Sequence, residues 1–160
     1  MAVEIERKFL IRDDAWRREV VSSSRIIQGY LTGDGNTVRV RLRDDDAFLT
    51  VKGRPSGLSR SEFEYPIPKA DAEKMLAEMA LFTAVEKIRY IVPAAGGLCW
   101  EIDEYLKENA PLFTAEIELP SEDTPVVLPE WLGQEITGEK IYTNRFLSQK
   151  PYSLWDDTLL

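Results

Sequence analysis

Residues 3 to 10 read VEIERKFL, and this stretch decides the fold. In a strand, alternate side chains point to opposite faces. Glu4, Glu6 and Lys8 then share one face, and Val3, Ile5 and Phe9 share the other, with Arg7 among them. Two carboxylates two residues apart repel each other. A strand that opens this way needs something on its charged face to offset that repulsion.

The same alternation recurs along the chain. TVRVRLR places Arg39, Arg41 and Arg43 opposite Val38, Val40 and Leu42, and Lys52 stands opposite Leu49 and Val51. Glu62 and Glu64 lie opposite Phe63 and Tyr65, and Lys87 and Arg89 opposite Ile88 and Tyr90. Glu101 and Asp103 flank Ile102, and Glu116 and Glu118 alternate with Ile117 and Leu119. Any one of these strands is ordinary, since antiparallel sheets commonly have one wet face. The set is not. Some strands carry only carboxylates on that face and others only cations. An open surface gains little from such sorting, because exposed ion pairs contribute only about 0–1 kcal/mol each.

Strands are expected over 2–11, 24–33, 36–44, 47–53, 58–67, 85–93, 98–106 and 112–120. Turn signals separate many of them: GDGN at 33–36, RPSG at 54–57 and AAGG at 94–97. Helices are expected from Asp13 (DDAWRREVV), over 69–82 with Met75, Leu76, Met79 and Phe82 on one face, and over 139–149, stopping before Pro151. Roughly eight strands suffice to close a barrel. The fold class is α+β, mainly antiparallel β: an eight-stranded closed barrel with its charged side inward and helices packed outside. The whole chain, 1–160, reads as one domain, without linker or repeat.

Composition narrows the chemistry. The chain has 160 residues, 44% hydrophobic and 30% charged, with net charge −8. That acidity disfavours general nucleic-acid binding, which needs a basic surface. There is no histidine, which removes Ser-His-Asp and Cys-His catalysis and His-ligated zinc. The single Cys99 is expected to be a buried small apolar residue. Any metal must be held mainly by oxygen, which points to Mg²⁺, Mn²⁺ or Ca²⁺. No apolar run reaches the length of a membrane span, and charges stand where a signal peptide needs its apolar core. A cytoplasmic protein is expected. A membrane barrel is disfavoured by the helices and the interspersed charges.

Inside the barrel the basic set is Lys8, Arg39, Arg41, Arg43, Lys52, Lys87 and Arg89. The acidic set is Glu4, Glu6, Glu62, Glu64, Glu101, Asp103, Glu116 and Glu118. A polyanionic ligand that comes with a divalent cation satisfies both. Arg and Lys bind phosphate oxygens, and clustered carboxylates bind a hard cation. Glu4 and Glu6 then read as a cation seat, with Lys8 beside it as a phosphate contact.

The ordered series E-x-E-x-K (Glu4 to Lys8), R-V-R, S-E-F-E, K-I-R, E-I-D and A-E-I-E, followed by ITGEKIYTNRFL, resembles the CYTH superfamily, the triphosphate tunnel metalloenzymes. The likeness covers nearly the whole chain. It implies a tunnel for a small triphosphate substrate with one or two Mg²⁺ or Mn²⁺ ions, in a monomer or homodimer. It implies one of a few activities: hydrolysis of inorganic tripolyphosphate, thiamine triphosphate or RNA 5′-triphosphates, or class IV adenylate cyclisation. The chain is most like the prokaryotic tripolyphosphatases, which release pyrophosphate and phosphate. A non-enzymatic binder of polyphosphate or nucleotides is a further class, against which the many carboxylates argue.

On this reading Glu4, Glu6, Glu116 and Glu118 hold metal, with Asp103 also among the ligands. Glu62 and Glu64 serve a second ion or orient water. Arg39, Arg41, Arg43, Lys52, Lys87 and Arg89 clamp phosphates. Lys8, Glu4, Glu6, Arg39, Arg41 and Lys87 form the catalytic set, with Lys8 either assisting the attacking water or holding the terminal phosphate. Tyr30 shares a face with Gln28 and either reaches the lumen or packs the barrel. The C-terminal helix either caps one tunnel mouth or covers the outside. GQEITGEK at 133–140 is not a phosphate-binding loop, since Glu139 stands where that motif needs Lys.

Overall fold

The computed structural model describes residues 3–33 and 35–159. Residue 2, the expected start of the first strand, and Asp34, in the expected GDGN turn, lie outside the described residues. The strands are β1 (Val3–Ile11), β2 (Ser22–Tyr30), β3 (Thr37–Arg43), β4 (Asp46–Lys52), β5 (Ser59–Pro66), β6 (Val85–Pro93), β7 (Cys99–Tyr105), β8 (Phe113–Glu118) and β9 (Leu132–Glu135). The helices are α1 (Lys69–Glu78) and α2 (Asn144–Gln149). No helix among the described residues is long and apolar enough to cross a membrane.

The strands follow one another in the order β5-β4-β3-β2-β6-β7-β8-β1, and β1 pairs back to β5, which closes an eight-stranded antiparallel barrel. The closure divides β1 between two partners on one edge. Val3 to Ile5 face β5, while Phe9 and Ile11 face the extra strand β9. β9 was not expected, because LGQE has neither the length nor the alternation of a strand. It is held from outside by Arg7, whose guanidinium donates two hydrogen bonds to Glu135 at 2.9 and 2.8 Å. Gly133 permits the approach, since a Cβ there would lie 3.1 Å from the Leu10 carbonyl oxygen.

Alternation places the charged side chains inward and the apolar ones outward, and the outward face is then buried by what covers it. Phe9, Trp100, Ile102, Ala115 and Ile117 pack under Trp16, Leu119 and Trp131. Val40 and Ala47 pack under α1 through Ala72, flanked by Met75 and Leu76. Gly29 lies beneath that helix, and a Cβ there would stand 2.8 Å from the Leu76 side chain.

The expected helices change in three ways. The stretch after Asp13 forms only a 3₁₀ turn over Ala15–Glu19. It is anchored by buried Trp16, and the β-branched Val20-Val21 already run extended toward β2, where the Val21 amide donates to Ile91. α1 ends at Glu78, so Met79 and Phe82 are exposed and the inner face is buried Ala72 with half-buried Met75 and Leu76. The C-terminal helix breaks in two. A 3₁₀ turn over Lys140–Tyr142 stops at Thr143, which is extended, and its hydroxyl accepts the Phe146 amide to start α2. This is an N-cap, which satisfies a donor that the helix itself leaves open. Cys99 is also not buried. It is the first residue of β7, at the barrel rim, and is exposed.

α2 does not pack outside. Tyr142 and Leu147 join Val85, Tyr105, Leu112 and Ile136 in an apolar cluster at one end of the barrel. The aromatic rings of Tyr142, Phe146 and Tyr152 gather around Trp155 with centroids 4.9 to 6.0 Å apart. The C-terminal segment thus plugs the tunnel.

Candidate active site

The lumen is a cavity of about 970 Å³. Of the residues expected to face it, Glu4, Glu6, Lys8, Arg39, Arg41, Arg43, Lys52, Glu62, Glu64, Lys87, Arg89, Glu101, Glu116 and Glu118 line it, and Tyr30 does too. Asp103 does not. Strand order sorts the charges into two walls. β3 and β6 flank β2 and present arginines and a lysine, and β4 adds Lys52, while β5, β1, β8 and β7 present mainly carboxylates, with Arg60 on β5 and Lys8 on β1 among them.

On the basic wall Arg39 and Arg41 are buried. Arg39 donates one hydrogen bond from Nη2 to Thr50 Oγ1 at 3.2 Å, and its Nε has no partner. Arg41 donates from Nε to Gln28 Oε1 at 2.9 Å, and Gln28 Nε2 donates to the Tyr30 hydroxyl at 2.9 Å. Among the described residues neither arginine meets a carboxylate in an ion pair. Burial and the charges of Arg39 and Arg89 push the Arg41 guanidinium down to about 9. Buried cations without anions cost free energy, and phosphate oxygens supply what these two lack. Arg43 is exposed at the rim, over the Phe48 ring.

The carboxylates divide into two kinds. Asp103 and Glu116 are paired. Arg89 grips Asp103 from Nε and Nη2 at 2.8 and 2.9 Å, and Lys87 Nζ lies 2.8 Å from Oδ2, the oxygen that Nη2 bonds. Burial works to raise Asp103, but Arg89 and Lys87 overcome it and hold the carboxyl well below its ordinary range. Burial opposes ionisation of Glu116 as well, yet Lys8 at 3.4 Å and Arg89 hold it at about 2.

Glu4, Glu6 and Glu118 are crowded instead. Burial raises Glu4, and a hydrogen bond shared with Glu62 raises it further; Lys52, 3.1 Å away, only partly offsets this, and the carboxyl reaches about 7. Glu6 is raised by burial and by the charges of Glu116 and Glu4. Glu118 is raised by burial, Glu101 and Glu4.

Hard oxygen donors, crowded and short of positive charge, suit a divalent cation. Among the described residues no three acidic side chains already stand as a formed metal cage. Glu4 and Glu6, with Glu118 and Glu62 around them, are the donors that a cation would draw together. Asp103, expected among the metal ligands, sits behind the cavity wall as the counter-ion of Lys87 and Arg89. Lys8 is tied to two protein groups, which leaves one of its three N–H donors to spare. Its Nζ donates to the Tyr142 carbonyl at 2.6 Å and faces Glu116. Burial lowers its pKa, but Tyr105, Glu116 and Glu6 outweigh that and hold it as a cation.

The plug adds groups that strand alternation did not reveal. Asn144 Oδ1 accepts from Lys87 Nζ at 3.0 Å and from the Tyr105 hydroxyl at 3.1 Å. Arg145 also lines the cavity. Arg60 does as well, and here the sequence carried the signal, since Arg60, Glu62 and Glu64 share one face of β5. For Asn144 and Arg145 no periodicity pointed inward.

The model of the CYTH domain family matches residues 2–146. The chain is 41% identical over 153 residues to an inorganic triphosphatase of Acetivibrio thermocellus, covering 95% of this chain and 97% of that one. It is 35% identical over 149 residues to an inorganic triphosphatase of Nitrosomonas europaea, covering 91% and 96%. Among solved structures, the crystal structure of an inorganic triphosphatase aligns with a TM-score of 0.64 at 33% identity, covering 91% of this chain and 97% of that chain.

Proposed function

The chain belongs to the CYTH domain family, and on that premise we propose that its tunnel is the active site of a divalent-metal-dependent triphosphatase, with inorganic tripolyphosphate as the substrate and pyrophosphate and phosphate as products. Two relatives at 41% and 35% identity that bear the name inorganic triphosphatase support this choice among small triphosphates. The observation that carries the reading is the opposition of the two walls. Among the described residues buried Arg39 and Arg41 meet no anion, and across the lumen Glu6 meets no cation while Lys52, 3.1 Å from Glu4, only partly offsets the crowding there. A phosphate chain with Mg²⁺ or Mn²⁺ completes both.

Arg39 and Arg41 hold the phosphate oxygens by charge-assisted hydrogen bonds, and Gln28 fixes the direction of Arg41. Lys87 and Arg89 add positive potential from positions set by Asp103. Phosphoryl transfer needs chiefly such positioning and electrostatic stabilisation. Glu4, Glu6 and Glu118 would hold a divalent cation, with Glu116, expected beside them, already held by Lys8, and the cation would supply charge neutralisation and Lewis acidity there. Glu62 and Glu64 face the same space and would hold a second ion or orient water. Lys8, held as a cation and bonded to the plug, acts on phosphate rather than as a base. One chain lines the whole cavity, so a monomer or a homodimer carries the site equally. A single free, exposed thiol fits the reducing cytoplasm.

The test is phosphate release from tripolyphosphate, pyrophosphate, thiamine triphosphate and ATP, each with Mg²⁺, Mn²⁺ or EDTA. Metal-dependent release from tripolyphosphate that leaves pyrophosphate is the expected result. Cyclic AMP from ATP, or no turnover with any of them, would overturn the assignment.

A further inference from the structure

The lumen face of β3 reads Thr37, Arg39, Arg41, Arg43, one side chain every second residue. The rungs are roughly 6.6 Å apart. Three are arginines and the first, at the plugged end, is a threonine. Arg145, from α2, lies over that threonine. Its Nη1 donates to Thr37 Oγ1 at 3.3 Å and its Nη2 to the Thr32 carbonyl at 3.2 Å. Both acceptors are neutral, both bonds are long, and among the described residues Arg145 meets no carboxylate in an ion pair. A guanidinium has five N–H donors, so most of them remain available to the cavity that Arg145 lines.

We propose that Arg145 is a phosphate-contact residue, the fourth rung of the β3 arginine ladder supplied by the plug, so that binding a polyphosphate chain and seating the plug are one event. The inference deepens the triphosphatase reading and rests on it. The plug is already tied to two other lumen cations, through Lys8 to the Tyr142 carbonyl and Lys87 to Asn144. Those contacts are made by protein alone. Arg145 is a plug group with capacity left over on the helix itself, and among the described residues its charge meets no carboxylate in an ion pair. A ligand that touches Arg39 and Arg145 together spans a strand of the barrel and the C-terminal helix, and holds the second against the first.

The experiment compares wild type with Arg145→Gln and Arg145→Lys. Glutamine keeps a neutral donor toward Thr37 and removes the charge, and lysine keeps the charge. Tripolyphosphate binding is measured by calorimetry in EDTA, where turnover is stopped. Amide exchange over residues 140–149 is followed with and without tripolyphosphate, and KM and kcat are measured with Mg²⁺. A hydrogen bond to a charged group is worth enough that its loss weakens binding roughly 10- to 100-fold. Arg145→Gln is expected to raise Kd and KM by that factor and kcat by much less. Arg145→Lys should recover most of the loss. Tripolyphosphate should slow exchange of the plug amides in wild type but not in Arg145→Gln, and the two unliganded proteins should exchange alike.

Unchanged binding in Arg145→Gln overturns the proposal. So does faster plug exchange in the unliganded variant that matches its loss of affinity, because Arg145 is then only a strap. The two readings fail separately. Wild type that hydrolyses tripolyphosphate while Arg145→Gln matches it refutes the role of Arg145 alone. Wild type that binds through Arg145 in EDTA but never turns over refutes the enzymatic reading alone.

Discussion

Asp103, behind the cavity wall, and Glu6, which lines the cavity, are both carboxylates on barrel strands, and they sit in opposite electrostatic states. Asp103 is gripped by Arg89 and Lys87 and held ionised far below its ordinary range. Glu6 is crowded by Glu4 and Glu116 and pushed well above it. Burial works to raise both carboxyls, so burial is not what separates them. The neighbours do. A carboxylate whose charge is already matched belongs to the scaffold, and one whose charge is unmatched waits for a cation that the polypeptide does not contain. Sorting the acidic residues this way divides counter-ions from metal seat within one lumen.

The largest expected effect breaks the matched side. Asp103→Ala takes its carboxylate partner from Lys87 and leaves Arg89 only Glu101, and losing one partner of such a buried network costs about 3–5 kcal/mol. Urea unfolding should show that loss, with or without metal. A loss below about 1 kcal/mol would mean that Asp103 is not the counter-ion described here.

Removing charge from the unmatched side should do the reverse. Glu6→Gln and Glu4→Gln relieve repulsion, so the metal-free proteins should unfold at the same urea concentration as wild type or a higher one. Their metal-dependent turnover should fall at least tenfold, most steeply at limiting Mg²⁺. Full activity of Glu4→Gln at limiting Mg²⁺ would show that the seat lies elsewhere.

pH separates the two kinds in a single protein. Glu4 has a folded value of about 7 against an ordinary 4.5, so the native state keeps its proton longer than the unfolded chain. Its contribution to stability therefore declines as pH rises from about 4.5 to about 7. Glu116 has a folded value of about 2, so its contribution is complete above 4.5 and is lost as pH falls toward 2. Metal-free protein should lose stability on both flanks. Mg²⁺ should restore the high-pH flank, because a ligand of the native state stabilises it by mass action, and should leave the acid flank unchanged. A high-pH flank that is flat without metal would contradict the crowding of Glu4.

The smallest effect is a control outside the barrel. Arg7 and Glu135 form a bidentate pair with side chains 26% and 38% exposed. Exposed pairs contribute about 0–1 kcal/mol. Glu135→Ala should shift the urea midpoint by no more than that, against the much larger loss at Asp103. A shift as large as at Asp103 would show that the tie between β1 and β9 also holds the plug.

Period-two alternation made the eight barrel strands legible, with bounds moved by one to three residues except at β6, which spans 85–93 as expected. It also fixed which side chains face the lumen, because register in a closed barrel leaves no freedom once one strand is set. It could not tell Asp103 from Glu6. Both obey the same alternation, and what differs is the strand across the lumen or beside it, which only the closed order β2-β6-β7-β8-β1 brings near. β9 and the plug were illegible for another reason. LGQE borrows its hydrogen bonds from the half of β1 that β5 leaves free, and the inward turn of Asn144 and Arg145 depends on a break at Thr143. Neither follows from local periodicity.

The most direct measurement is Mn²⁺ binding by calorimetry at pH 8, in wild type, Glu6→Gln and Asp103→Asn, each shown to be folded beforehand. The account predicts that Glu6→Gln loses at least tenfold in affinity and that Asp103→Asn, which preserves shape, binds Mn²⁺ within a few-fold of wild type. Tight binding by Glu6→Gln, or loss of binding in folded Asp103→Asn, would contradict the division between matched and unmatched carboxylates.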